Sequence, residues 1–164
     1  FSDQELTTLY KPKGDEDGDL CTPIMNDTPL SMDFKPEKQW PLLFDYRAGA
    51  VFVKKWNLHF PEQQVESLCE INDIDEDLFG ELYDALEIEK HTQIGGYAYF
   101  TQSDPRTCES LQHYTELLFQ LDSYYGDEDY QILWGDSGVG NFFATKEQLK
   151  HLDFAKCLYS WDCC

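Results

Sequence analysis

From Ala50 to Phe60 the string AVFVKKWNLHF places Val51, Val53, Trp56, Leu58 and Phe60 at near-alternate positions, a spacing that predicts a half-buried strand. Pro61 then opens an expected helix, PEQQVESLCEI, with Glu62 near its positive end and Val65, Leu68 and Cys69 on one face. A second helix is marked by Asp75 as its cap and by Glu76 and Asp77 in its first turn. Leu78, Phe79, Leu82, Tyr83 and Leu86 form its apolar stripe, and Gly80 interrupts it. After His91 the pattern shifts to short apolar runs at 94–100, 116–123, 130–134, 139–145 and 154–161, most of them separated by turn residues. Between the last two, Thr145 and Gln148 fit a capping box ahead of Leu149 and Leu152, so one or two helical turns are expected there. A tight hairpin is expected to join 130–134 to 139–145. The fold class is α+β, a mostly antiparallel sheet with a few helices on it.

Residues 1–45 carry Pro12, Pro23, Pro29, Pro36 and Pro41 with a Gly-Asp-rich run at 14–19, and read as irregular and loop-rich. The whole chain of 164 residues is long enough for one domain with a real core.

Charge narrows the partners. Asp and Glu number 32 against 12 Lys and Arg, a formal net charge of -20, which repels nucleic-acid phosphate and favours fast encounter with a basic protein. No run of 18 apolar residues occurs and the N-terminus lacks the layout of a secretory signal, so neither membrane insertion nor export is expected. The chain begins at Phe1, which leaves room for an upstream segment. Cysteines 21, 69, 108, 157, 163 and 164 are scattered without a disulfide framework or a C-x-x-C pair; they read as reduced thiols of a cytoplasmic protein with neither metal nor cofactor.

Candidate chemistry is sparse. Asp15, Asp17 and Asp19 alternate as calcium ligands would, but Leu20 stands at the position of the turn-making glycine and Asn26 at that of the bidentate glutamate. Asp73, Asp75 and Asp77 fail in the same way and serve better as a helix start. Gly135-Asp136-Ser137-Gly138 lacks the final glycine of a nucleophile elbow and opens no substantial helix, so it reads as a turn. His59, His91, His113 and His151 have no metal-binding spacing, and no acid, base and oxyanion donor assemble in the sequence.

The stretch HTQIGGYAYFTQSDPR, 91–106, is the most demanding. Gly95 and Gly96 imply backbone freedom or a close approach at the start of a strand, Asp104-Pro105 turns the chain, and Arg106 can fork onto a carboxylate or carbonyl in that turn. Arg47 is the only other arginine. The physics reads this segment as architecture first. The alternative is an enzyme or small-ligand-binding protein with a cleft beside Gly95-Gly96 and the 135–140 turn; there Gln102, Asp104, Arg106, Asp122, Trp134, Asp136 and Asn141 would gather as a site if strands 94–100, 116–123 and 139–145 are neighbours.

Four blocks, HTQIGGYAYFTQSDPR, LLFQLDS at 117–123, ILWGDSGVGNFF at 132–143 and DFAKCLYSWDC at 153–163, resemble in order the C-terminal signature of the YwqG-like family, a bacterial-centred domain of unknown function. The first 90 residues resemble it only weakly, and the family's longer members carry an N-terminal half with a related Gly-Gly strand that is absent here. The resemblance implies an α+β domain, one half of a duplicated architecture, with 1–164 as a C-terminal part or shortened form. It supplies no catalytic residues. Relatives near toxin systems imply an immunity or partner-binding role, with a basic toxin domain as the expected partner.

Overall fold

Among the described residues Asp45 starts the first helix, because its carboxylate accepts the Arg47 backbone N–H from an extended backbone conformation. This is a computed structural model, and the structure describes residues 23–24, 30–85, 92–126 and 130–163. The calcium-like run at 15–19, Cys21, Leu86, His91 and Cys164 lie outside them.

Helix α1 (Tyr46–His59) occupies the segment in which alternation predicts a strand. The correction follows from which apolar residues are used. Val51 and Leu58 face solvent, whereas the buried Gly49 and Trp56, with the partly buried Phe52 and Val53 between them, repeat at helical spacing. The helix expected from Pro61 is shorter and later: α2 (Leu68–Ile74) is capped by Ser67, whose hydroxyl accepts the Glu70 N–H. The Glu70 carboxylate accepts from the Ser67 hydroxyl and the Glu66 N–H in turn, so this cap competes successfully with Pro61 as a start signal. Residues 61–66 are instead tied to α1 by side chains: Trp56 Nε1 donates to Gln63 O, and Asn57 exchanges two 2.8 Å bonds with the Val65 backbone. Helix α3 (Glu76–Ala85) begins as expected, with the Leu78 N–H on Asp75 Oδ1 at 2.9 Å. The three helices enclose Trp56, Val65 and Ile71, with Val53, Leu68 and Phe79 against them.

Strand β1 (Glu116–Asp122) pairs antiparallel with β4 (Val139–Ala144), which pairs antiparallel with β5 (Leu158–Asp162), giving the order β1-β4-β5. The final strand starts four residues later than expected. Helix α4 (Lys146–His151) between β4 and β5 carries the full Thr145–Gln148 capping box. The expected hairpin from 130–134 to 139–145 is not formed: β3 (Tyr130–Ile132) pairs with β2 (Tyr124–Tyr125) in a separate sheet. The turn itself exists, closed by the Gly138 N–H on Trp134 O at 2.7 Å. Both edges of β4 are already taken by β1 and β5, so β3 has no edge there to join.

The expected strand 94–100 is the most instructive correction. Gln93 makes one backbone bridge to Gln120 of β1, and then Gly95 and Gly96, at φ 72° and 77°, turn the chain away from a continuing ladder. Residues 97–100 run extended without strand pairing, so their backbone groups need other partners. Side-chain amides provide them: Gln39 accepts the Tyr97 N–H and donates to Tyr97 O, while Gln120 accepts the Tyr99 N–H and Asn141 donates to Tyr99 O, at 2.7–3.2 Å. Ala98 and Phe100 thereby pack on Leu117 and Phe143 in the sheet's core.

A Cβ on Gly96 would meet Gln39 Oε1, the atom that holds the Tyr97 N–H. Gly96→Val therefore combines a β-branched residue at positive φ with the loss of an amide clamp, and is expected to destabilise by about 1–3 kcal/mol. Chemical denaturation checks it; an unchanged midpoint would refute the architectural reading of this segment.

Candidate functional site

The face of the sheet that carries Val139, Asn141 and Phe143 is the inner one, and Arg106 is buried against it. Both arginines of the chain sit in Asp-x-Arg triplets, Asp45-Tyr46-Arg47 and Asp104-Pro105-Arg106, which fold alike. In each, the arginine backbone N–H and Nε reach one aspartate oxygen and Nη2 the other, at 2.8–3.0 Å. The triplets then cross-link: Arg106 Nη2 also donates to Asp45 Oδ2 at 2.9 Å, and the Tyr46 N–H to Asp104 Oδ2 at 2.9 Å. Arg106, Asp45 and Asp104 are almost wholly buried. The Arg106 guanidinium lies 4.1 Å from the Phe143 ring centroid and 4.9 Å from that of Tyr46.

Burial by itself would raise the Asp45 pKa, but hydrogen bonds from Arg47 and the charges of Arg106 and Arg47 outweigh it and hold the carboxyl below its ordinary value of 3.8. A folded-state pKa below the unfolded one contributes stability that is complete above the unfolded value and is lost as pH falls through the folded one. Melting temperature should hold steady near neutrality and fall once pH drops below about 4, with Asp45→Asn showing a shallower acid slope. Thermal melts across that range test it; equal acid slopes for the two proteins would contradict it.

The seven residues expected to gather in a site are distributed over three places. Asp104 and Arg106 belong to the buried network just described. Gln102, Asp122 and Asn141 lie along the inner face: the Gln102 N–H donates to Asp162 Oδ2 at 2.9 Å, its side chain to Cys163 O, and the Asp122 N–H to Thr92 Oγ1 at 3.1 Å. Asn141 holds Tyr99. Trp134 and Asp136 lie at the 135–138 turn, Trp134 buried over Gly140 on the opposite face and Asp136 exposed in the turn.

That opposite, outer face is aromatic. Phe119, Phe142 and Tyr159 form one cross-strand row, with centroids 6.4 and 5.0 Å apart. Trp134 lies over Gly140, where a Cβ would overlap its indole, and packs 6.2 Å from both Tyr159 and Trp161. Tyr159 and Trp161 remain 49% and 48% exposed. Their alternation in LYSWD is a sequence signal for one aromatic strand face, although the covering of Gly140 by Trp134 is not.

A separate cleft of about 1040 Å³ lies beside Gly95 and Gly96, lined by residues 33–40, 42 and 92–96; none of the seven expected residues lines it. Trp40, 79% exposed, stands at it with Phe34 and Ile94. The Gln39 and Gln93 amides, hydrogen-bonded to each other, are also in its lining. Sequence reasoning passed over Asp45, Gln39, Gln93 and Gln120. Only Gln120 carried a local signal, as a polar residue inside the apolar run LLFQLD.

Cys69, Cys108, Cys157 and Cys163 are free thiols. Among the described residues no group of three or more His, Cys, Asp or Glu side chains is placed to hold a metal ion, and no helix is long and apolar enough to cross a membrane.

A small antiparallel sheet with a buried arginine on one face, exposed aromatics on the other and a helical cluster beside it defines an α+β domain. The chain belongs to a family described as a domain of unknown function, DUF1963, which matches residues 2–163 and so extends well beyond the segment 91–163. No curated protein matches it.

Proposed function

We propose that this chain is a protein-binding domain that docks a basic partner. The observation that carries the reading is the outer sheet face, where half-exposed Tyr159 and Trp161 stand on a packed aromatic base. Large aromatics held rigidly at a surface are the side chains that most often anchor protein interfaces. The net charge of -20 supports a basic partner, and steering by such a field raises association rates. In its finer form the partner is a toxin domain and the chain its immunity protein in the cytoplasm. The likeness of 91–163 to the YwqG-like family supports that role, and free thiols fit a reducing compartment.

The test is association with basic toxin domains encoded beside the gene. Between about 50 and 500 mM salt the on-rate should fall roughly tenfold or more, and co-expression should restore growth. Undetectable or salt-insensitive binding without growth rescue sinks the reading.

The cleft beside Gly95 and Gly96 favours a second reading, a small-ligand site walled by Phe34, Trp40 and Ile94. A thermal-shift screen in which hits are abolished by Trp40→Ala would support it; hits unaffected by that change would not.

A further inference from the structure

The two faces of the sheet share one chemistry and differ in how it is used. On the inner face, aromatic rings and carboxylates converge on an arginine: Arg106 lies over Phe143 and Tyr46 while Asp45 and Asp104 take its fork. On the outer face, half-exposed Tyr159 and Trp161 present ring surface over the buried Trp134. Exposed electron-rich rings on an acidic protein attract a planar cation that can stack on them, which suits guanidinium better than ammonium.

The chain cannot provide that arginine itself, since its two are both committed to the buried network. Resting on the binding-domain reading, we propose that the outer face receives an arginine-bearing segment of the partner, stacked on Trp161 and Tyr159. Charge complementarity selects this occupant over an apolar one, because an apolar segment would gain nothing from the surrounding field of -20.

The probes are nona-arginine and nona-lysine peptides of equal charge, titrated at fixed salt and followed by calorimetry. Any acidic protein binds both to some degree, so the informative quantity is their affinity ratio. The wild type should favour nona-arginine by at least about threefold, the size of an exposed cation–π contact. Trp161→Ala and Tyr159→Ala should each bring the ratio towards one, and Trp161→Phe should keep most of it. Near-UV and far-UV circular dichroism verify that each variant is folded. If one is not, shifts of the Trp161 indole resonance on adding nona-arginine to the wild type take its place.

A wild-type ratio near one overturns the proposal, as does a ratio indifferent to Trp161 and Tyr159 or an indole resonance that does not move. These outcomes leave salt-sensitive binding of a basic partner intact at some other surface. Loss of that binding, with the peptide preference intact, instead counts against the partner reading.

Discussion

Arg106→Ala is expected to lower stability by about 3–5 kcal/mol, the range found when one member of a buried ion pair is removed. The cost comes mainly from what stays behind. Asp45 and Asp104 would keep their burial but lose the guanidinium that bridges them at 2.8–2.9 Å. Asp45 keeps Arg47, whereas Asp104 keeps only backbone donors such as the Tyr46 N–H among the bonds described. Removing the guanidinium also empties the space over Phe143 and Tyr46. For a chain of this size the loss corresponds to a fall in melting temperature of roughly 10 °C or more. Arg106→Lys should recover little, because a single ammonium cannot serve the two oxygens of Asp104 and one of Asp45 in the same geometry. In a double-mutant cycle, Asp104→Asn combined with Arg106→Met should cost clearly less than the sum of the two single changes, since the second partner then leaves no unpaired charge. Urea unfolding measures all five variants; additivity in the cycle, or an Arg106→Ala protein as stable as the parent, would show that the network is dispensable.

The second large effect is expected at Gly138, where a Cβ would overlap the Asp162 carbonyl oxygen and crowd Cys163 Cα. The obstacle is backbone, so no side chain can rotate out of the way. Gly138 cannot retreat either: its N–H is fixed on Trp134 O, and its carbonyl accepts from the Ser123 N–H and hydroxyl at 3.3 and 2.8 Å. Gly138→Ala should therefore open the β4–β5 end of the sheet and cost about 3 kcal/mol, the upper part of the range for overpacking. Gly80→Ala is the matched control. It adds the same methyl in α3 with nothing within 4 Å and should stabilise by about 1 kcal/mol through helix propensity. Equal melting temperatures for Gly138→Ala and the parent would falsify the close-approach argument.

The buried network shows what a sequence can and cannot carry about this site. Each Asp-x-Arg triplet is local, and the fork of Arg106 onto a carboxylate in its own turn was readable from Asp104-Pro105-Arg106. That Asp45 joins it from 61 positions away was not, because nothing in either triplet specifies its partner. The seven-residue site was inferred from polar ends of neighbouring strands. Strands 116–122 and 139–144 are neighbours, but 94–100 crosses the sheet face instead of extending it, which separates Trp134 and Asp136 from the rest.

By itself the sequence determined the α+β class and the runs that become β1, β4 and β5, together with the caps at Asp75 and Thr145, the turn at 135–138 and the need for glycine at 95 or 96, these last because they rest on hydrogen bonds or torsions within a few residues. Tertiary structure decided the rest. Residues 50–60 became helix because the helical repeat of Gly49, Phe52, Val53 and Trp56 had a core to face, and alternation had none. Residues 97–100 are extended yet unladdered because Gln39, Gln120 and Asn141, distant in sequence, satisfy their backbone. The aromatic outer face arises because β4 lies between β1 and β5 and sets Phe119, Phe142 and Tyr159 in one row. Pairing order and the filling of a core are decided by competition among all segments at once, and a local pattern records only one competitor.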